Sequence, residues 1–187
     1  MPVAVMVKYI AFALLSVPVI IISWRTLFNP VSHGFYRFLS WECILWLAID
    51  NFKYWFRNSL GLTQIIAWFL LIYSLVLIVS GVALIRKTGK AEKQRDDKEL
   101  YDFEKTTVLI DTGIFRYIRH PLYGSLLFLT WGIFFKRPEF YLLIISLLSS
   151  LFLIIAAKIE ERENIGYFGD RYIDYQNRTK MFVPFLF

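Results

Sequence analysis

The sequence predicts an all-α, polytopic membrane protein of about five transmembrane helices, with a C-terminal helical hairpin and a cytosolic helical tail. Three observations predict it. Of 187 residues, 57% are hydrophobic and only 19% charged, and mean hydropathy is +0.51. The apolar residues are gathered into long runs rather than set at amphipathic spacing. One run, Leu62 to Ile85, carries no charge across 24 residues. At about 1.5 Å per residue it is long enough to cross a hydrocarbon core of roughly 30 Å.

Five membrane segments follow in order: 3–28, 38–57, 62–86, 121–136 and 139–158. In the first, Lys8 is followed by an apolar run with no small-x-small cleavage pattern after it, so this segment is expected to be retained. The second contains Glu42, Asp50, Lys53 and Arg57, which in hydrocarbon must face the bundle, reach a headgroup or lie in the interface. The third is the uncharged run. The fourth and fifth are short and joined by Lys136, Arg137, Pro138 and Glu139, which predicts a tight hairpin. Aromatic residues at segment ends, among them Trp24, Trp41, Trp55 and Trp68, suit rings at headgroup level. The whole reads as one membrane domain, 1–187: three N-terminal helices (1–86), a connector (87–120), the hairpin (121–158) and a tail (159–187).

Nine basic and seven acidic residues lie between Arg86 and Arg119, and five of each lie in the tail. If both polar segments are cytosolic, sixteen basic residues lie inside and five outside, so the N-terminus is expected outside and the C-terminus inside. The net charge of +6 then belongs to loops near anionic lipid, and no basic stripe with interleaved aromatics suggests nucleic acid. Cys43 is the single cysteine, which excludes an internal disulfide and Cys-based metal sites. With only His33 and His120 as imidazoles, no metal is expected. Membrane lipids are the expected surroundings, and the chain is expected to be monomeric.

The polar residues before the fourth segment are dense: Thr112-Gly113-Ile114-Phe115-Arg116-Tyr117-Ile118-Arg119-His120-Pro121-Leu122-Tyr123-Gly124. Pro121 suits the first position of a helix, so Arg119 and His120 should stand at a helix N-terminus, where the macrodipole favours an anion. The fifth segment leaves the membrane through Lys158, Glu160, Glu161, Arg162 and Glu163. A hairpin brings those glutamates beside Arg119 and His120. Such a meeting of cations and carboxylates can hold a zwitterion, or can be a structural ion-pair network. Arg171 and Arg178 are candidates to hold a substrate carboxylate, or are solvated arginines. For an amine acceptor, Glu160 or Glu161 could serve as base.

These residues resemble the isoprenylcysteine carboxyl methyltransferase family, within the wider group that includes the membrane phospholipid methyltransferases. The resemblance runs from Thr112 to Gly124, then Glu160-Glu161, Phe168-Gly169, Tyr172, Tyr175 and Pro184, and covers roughly the last 80 residues. Glycine follows Tyr123 directly, where many members have it one position later. The resemblance implies S-adenosylmethionine as cofactor, held by His120, Tyr123, Gly124, Glu160 and Glu161 with Arg119 close by. It also implies a prenylated or other lipid methyl acceptor entering from the bilayer, most simply a prenylcysteine carboxylate. That acceptor is already ionised at neutral pH and needs no base, whereas phosphatidylethanolamine-type N-methylation would need one. No G-x-G occurs among the nine glycines, so the soluble dinucleotide-type solution is absent. A similar hairpin pattern in membrane sterol reductases leaves an NADPH enzyme as an alternative, and a non-enzymatic membrane subunit as another.

Overall fold

A computed structural model describes residues 3–57, 61–88 and 108–184. Much of the charged connector expected between the third and fourth segments lies outside the described residues. Among the described residues six α-helices form: α1 (Val3–Ser23), α2 (His33–Asn51), α3 (Leu62–Thr88), α4 (Pro121–Phe134), α5 (Phe140–Phe168) and α6 (Asp170–Arg178). Short 3-10 turns lie at Phe52–Tyr54 and Gly113–Arg116. The α1, α3 and α5 helices are long and apolar enough to cross a membrane, and α4 is a shorter apolar helix. The all-helical membrane architecture is therefore as expected.

The second and fifth segments differ most from their expected bounds, for identifiable reasons. The second segment is helical from His33, five residues before the expected start, because Ser32 caps it by accepting from the Gly34 amide at 3.0 Å. It ends at Asn51, whose side chain donates to the Ile133 carbonyl at 3.0 Å. The fifth helix runs ten residues beyond the expected 158 and stops at Gly169, whose φ of +61° suits glycine. The charges from Lys158 to Glu163 are thus on a rigid helix rather than in a tail.

The α2 charges face the bundle. Asp50 is buried and accepts from Lys8 of α1 at 2.5 Å, from Arg137 after α4 at 2.7 Å, and from the Tyr141 hydroxyl of α5. Ser16 of α1 donates to Glu42 at 2.6 Å. Nearby, Lys136 is buried over the Trp68 ring, 3.6 Å from its centroid, and donates to Gln64 at 3.0 Å. One end of the molecule is therefore closed by a network of buried charges with partners from several helices. At the other end lies the open cleft described below.

The α3 helix packs along α4, α2 packs along α5, and α4 and α5 form the expected hairpin. In lipid, helices gain little from hydrophobic burial against each other, so close contact and hydrogen bonds must hold them. Ser74 of α3 donates to the Ser125 carbonyl of α4 at 2.7 Å, and Ser40 of α2 meets Ser149 of α5 at 2.8 Å. Gly132 lets α4 approach α3: a Cβ there would lie 2.8 Å from Leu71 Cγ and 3.2 Å from the Leu71 amide nitrogen. Gly132→Leu is expected to destabilise the fold by about 1–3 kcal/mol through overpacking. Gly166→Ala has open space around it and should stabilise by up to about 1 kcal/mol. Thermal unfolding of both variants in one detergent checks the pair, and equal melting temperatures would refute the packing argument.

Candidate active site

The site is built where α4 begins. Pro121 opens α4 at its first position, as its missing N–H allows, and His120 is the preceding residue. The chain before it is held by backbone pairing with the tail. The Arg119 amide donates to the Lys180 carbonyl at 2.7 Å, the His120 amide to the Met181 carbonyl at 3.1 Å, and the Lys180 amide to the Tyr117 carbonyl at 3.0 Å. Residues 179–182 thus strap the segment before α4, and Phe182 is fully buried with its ring 6.3 Å from that of His120.

The Arg119 guanidinium fastens the strap to the hairpin. Its Nε donates to Glu161 Oε1 at 2.6 Å, while Nη1 donates to the carbonyls of Thr179 at 2.5 Å and Gln176 at 3.1 Å. Those carbonyls belong to the end of α6, where helical carbonyls lack intrahelical donors and the dipole favours a cation. Glu161 Oε1 also lies 3.4 Å from His120 Nε2, and Glu160 Oε1 lies 3.8 Å from His120 Nδ1. The expected meeting of Arg119, His120, Glu160 and Glu161 is therefore present across about forty positions of sequence.

Beside this group opens a cleft with about 730 Å³ of empty space, part of it open to solvent. Its polar side is Arg119, His120, Tyr123, Glu160 and Asn164, and its aromatic side is Phe115, Phe168, Tyr172 and Tyr175. Burial pushes the Tyr172 hydroxyl well up, reinforced by the negative charges of Glu160 and Glu161. Burial likewise raises Tyr175, which donates to the Phe115 carbonyl at 2.7 Å. Both rings therefore present neutral hydroxyls at physiological pH.

The other sequence candidates lie elsewhere. Gly124 faces Leu77 of α3 and the Phe182 backbone, and Glu161 stands behind the cleft wall, paired with Arg119. Arg171 is exposed and does not line the cleft. Arg178 is at the surface, paired with Asp111 at 2.7 Å. The structure adds Asn164, one turn beyond Glu160 on α5, and Ile85 from the end of α3. The spacing of Asn164 from Glu160 was a readable signal once α5 is known to continue as a helix. Nothing in the sequence points to Ile85.

An all-helical integral membrane protein with a polar and aromatic cleft at a helix entrance is the class these features define. The phospholipid methyltransferase family profile matches residues 62–171, from α3 into α6, and the chain belongs to that family. It is 26% identical over 148 residues to methanethiol S-methyltransferase of Pseudomonas deceptionensis, covering 76% of this chain and 53% of the relative. To the enzyme of that name from Crocosphaera subtropica it is 24% identical over 134 residues, covering 70% and 50%. To methanethiol S-methyltransferase 2 of Bradyrhizobium diazoefficiens it is 33% identical over 76 residues, covering 40% and 28%. The chain spans about half the length of the first two of these relatives. No solved structure matches it.

Arg119→Lys keeps the charge but loses the planar fork that reaches Glu161 and two α6 carbonyls at once. It should release the strap, costing about 1.5–3 kcal/mol. Faster hydrogen exchange of the Arg119, His120 and Lys180 amides is the expected readout; unchanged protection would mean the backbone pairing holds without the guanidinium.

Proposed function

We propose that the chain is an S-adenosylmethionine-dependent methyltransferase whose acceptor is a small, apolar thiol reaching the cleft from the bilayer. The observation that carries this reading is the single cleft joining His120, Glu160 and Tyr123 to an aromatic wall. Those groups fit the cofactor's charges on one side and its adenine on the other. When bound, S-adenosylmethionine supplies an electrophilic methyl on a sulfonium; its transfer forms a carbon–sulfur bond to the acceptor, breaks one in the cofactor and leaves a neutral thioether.

The charge distribution favours a neutral acceptor over a carboxylate. Among the described residues, the tail arginines Arg171 and Arg178 stand outside the cleft, and Arg119 binds Glu161 and the end of α6. A thiol, with a pKa near 8.5, is mostly protonated at neutral pH and must lose its proton to react. His120 can take it: its Nδ1 lies 3.8 Å from Glu160, whose carboxylate would stabilise the imidazolium. The apolar residues Leu109, Ile110 and Leu122 at the cleft exclude water and suit an apolar acceptor. Relatives named as methanethiol S-methyltransferases agree with this choice.

A second reading, O-methylation of a prenylcysteine carboxylate, is favoured by the motif running through Phe168-Gly169, Tyr172, Tyr175 and Pro184. Phosphatidylethanolamine-type N-methylation, with Glu160 as base, is consistent with the family but has no further support in the cleft. In each case we take the cleft to face the cytosol, as the lysine and arginine bias favours, and the protein to act as a monomer.

Purified protein in nanodiscs, given methyl-labelled cofactor, is offered methanethiol, a prenylcysteine analogue and phosphatidylethanolamine in parallel. Label is expected on the thiol. Label on the carboxylate alone would overturn the thiol assignment in favour of the second reading. His120→Ala and Glu160→Gln should each weaken cofactor binding on the order of tenfold or more, and normal binding in both would remove the site assignment.

A further inference from the structure

The second histidine stands at the other side of the same carboxylates. His33 is fully buried as the first residue of α2, behind its Ser32 cap, and its Nδ1 lies 2.8 Å from Glu163 Oε2. The turn before it is packed tightly, since a Cβ at Gly34 would come within 2.6 Å of Thr26 Cγ2. Arg37, one turn further along α2, is also buried. On α5, Glu160 and Glu163 are three residues apart and share a face. Glu160 is partly buried, lines the cleft and contacts His120 on its far side. The charges of His33 and Arg37 both act on Glu160.

A carboxylate half withdrawn from water at the edge of a cleft stays ionised only when fixed cations offset its desolvation. Two such groups, His33 and Arg37, come from α2, which lies outside residues 62–171 matched by the family profile. We propose that His33, through Glu163, and Arg37, through its charge, are positioning residues that keep Glu160 ionised and turned into the cleft. The proposal rests on the reading of that cleft as the cofactor site. His33 precedes the expected membrane segment by five residues. Burial alone would lower its pKa, but the Glu163 hydrogen bond and the charges of Glu160 and Glu163 outweigh burial and the opposing Arg37, and hold it above 6.5. Glu160 and Glu163 from α5 and Arg37 from α2 are the charged groups that act on it.

The test uses the full chain in nanodiscs with labelled histidine. The chain has two histidines, so a His120→Gln variant assigns both imidazole resonances. His33 should titrate above 6.5, and Glu160→Gln and Glu163→Gln should each lower that midpoint. S-adenosylmethionine binding should weaken about tenfold in His33→Gln and in Arg37→Gln, with Arg37→Lys recovering most of the loss, a rescue that loss of packing would not give. If His33→Gln does not fold, the Arg37 pair carries the affinity arm. A His33 midpoint unmoved by Glu160→Gln, or wild-type affinity in the α2 variants, overturns the positioning role. A His33 midpoint that responds to both glutamate variants in a protein that does not bind S-adenosylmethionine supports the positioning role and overturns the cofactor reading instead.

Discussion

The contact between Arg119 and Glu161 is the constraint on which the site depends. One guanidinium joins the entrance of α4, the charged end of α5, and the last carbonyls around the end of α6. Each of these would otherwise leave a partly buried charge or orphaned carbonyl, which costs more than a surface group can recover. Satisfying all three with one side chain also sets distances. It fixes Glu161 against His120, brings the tail into register with residues 117–120, and lets Phe182 pack under the imidazole. The cleft is the space left on the other side of that bracket.

The two ends of the bundle solve the same problem differently. Around Asp50 and Lys136, buried charges meet partners from several helices and rings, and the end is closed. Around Glu160, the carboxylate is offset by charges from α2 but faces open space. A buried network joined to several helices rigidifies, whereas a carboxylate beside a cavity can receive a cation. One end of the bundle is thus anchored while the other stays open.

Legibility in the sequence followed the range of the interaction. The uncharged run of α3, the hairpin of α4 and α5, and Pro121 at a helix start are local signals and were readable. The pairing of Glu160 and Glu161 with Arg119 and His120 was readable too, because a short hairpin leaves its two ends little freedom. Segment ends were less so: hydropathy stops α5 at 158, although its backbone continues through Lys158 to Glu163 because helix hydrogen bonds do not require an apolar face. The meaning of Glu42 and Asp50 was open, since a charge in a membrane segment says only that a partner exists.

By itself the sequence determined an all-helical membrane chain and the residue types meeting at the entrance of α4. Tertiary structure decided what each of them does. Arg119, which composition presents as an anion ligand, is a bracket; Arg178 is paired at the surface. His33, silent in the sequence, lies against Glu163 130 positions away. The physical reason is that helix formation is set by local hydrogen bonds and burial, while the role of a charge depends on which opposite charges and carbonyls the packed helices bring within about 4 Å of it.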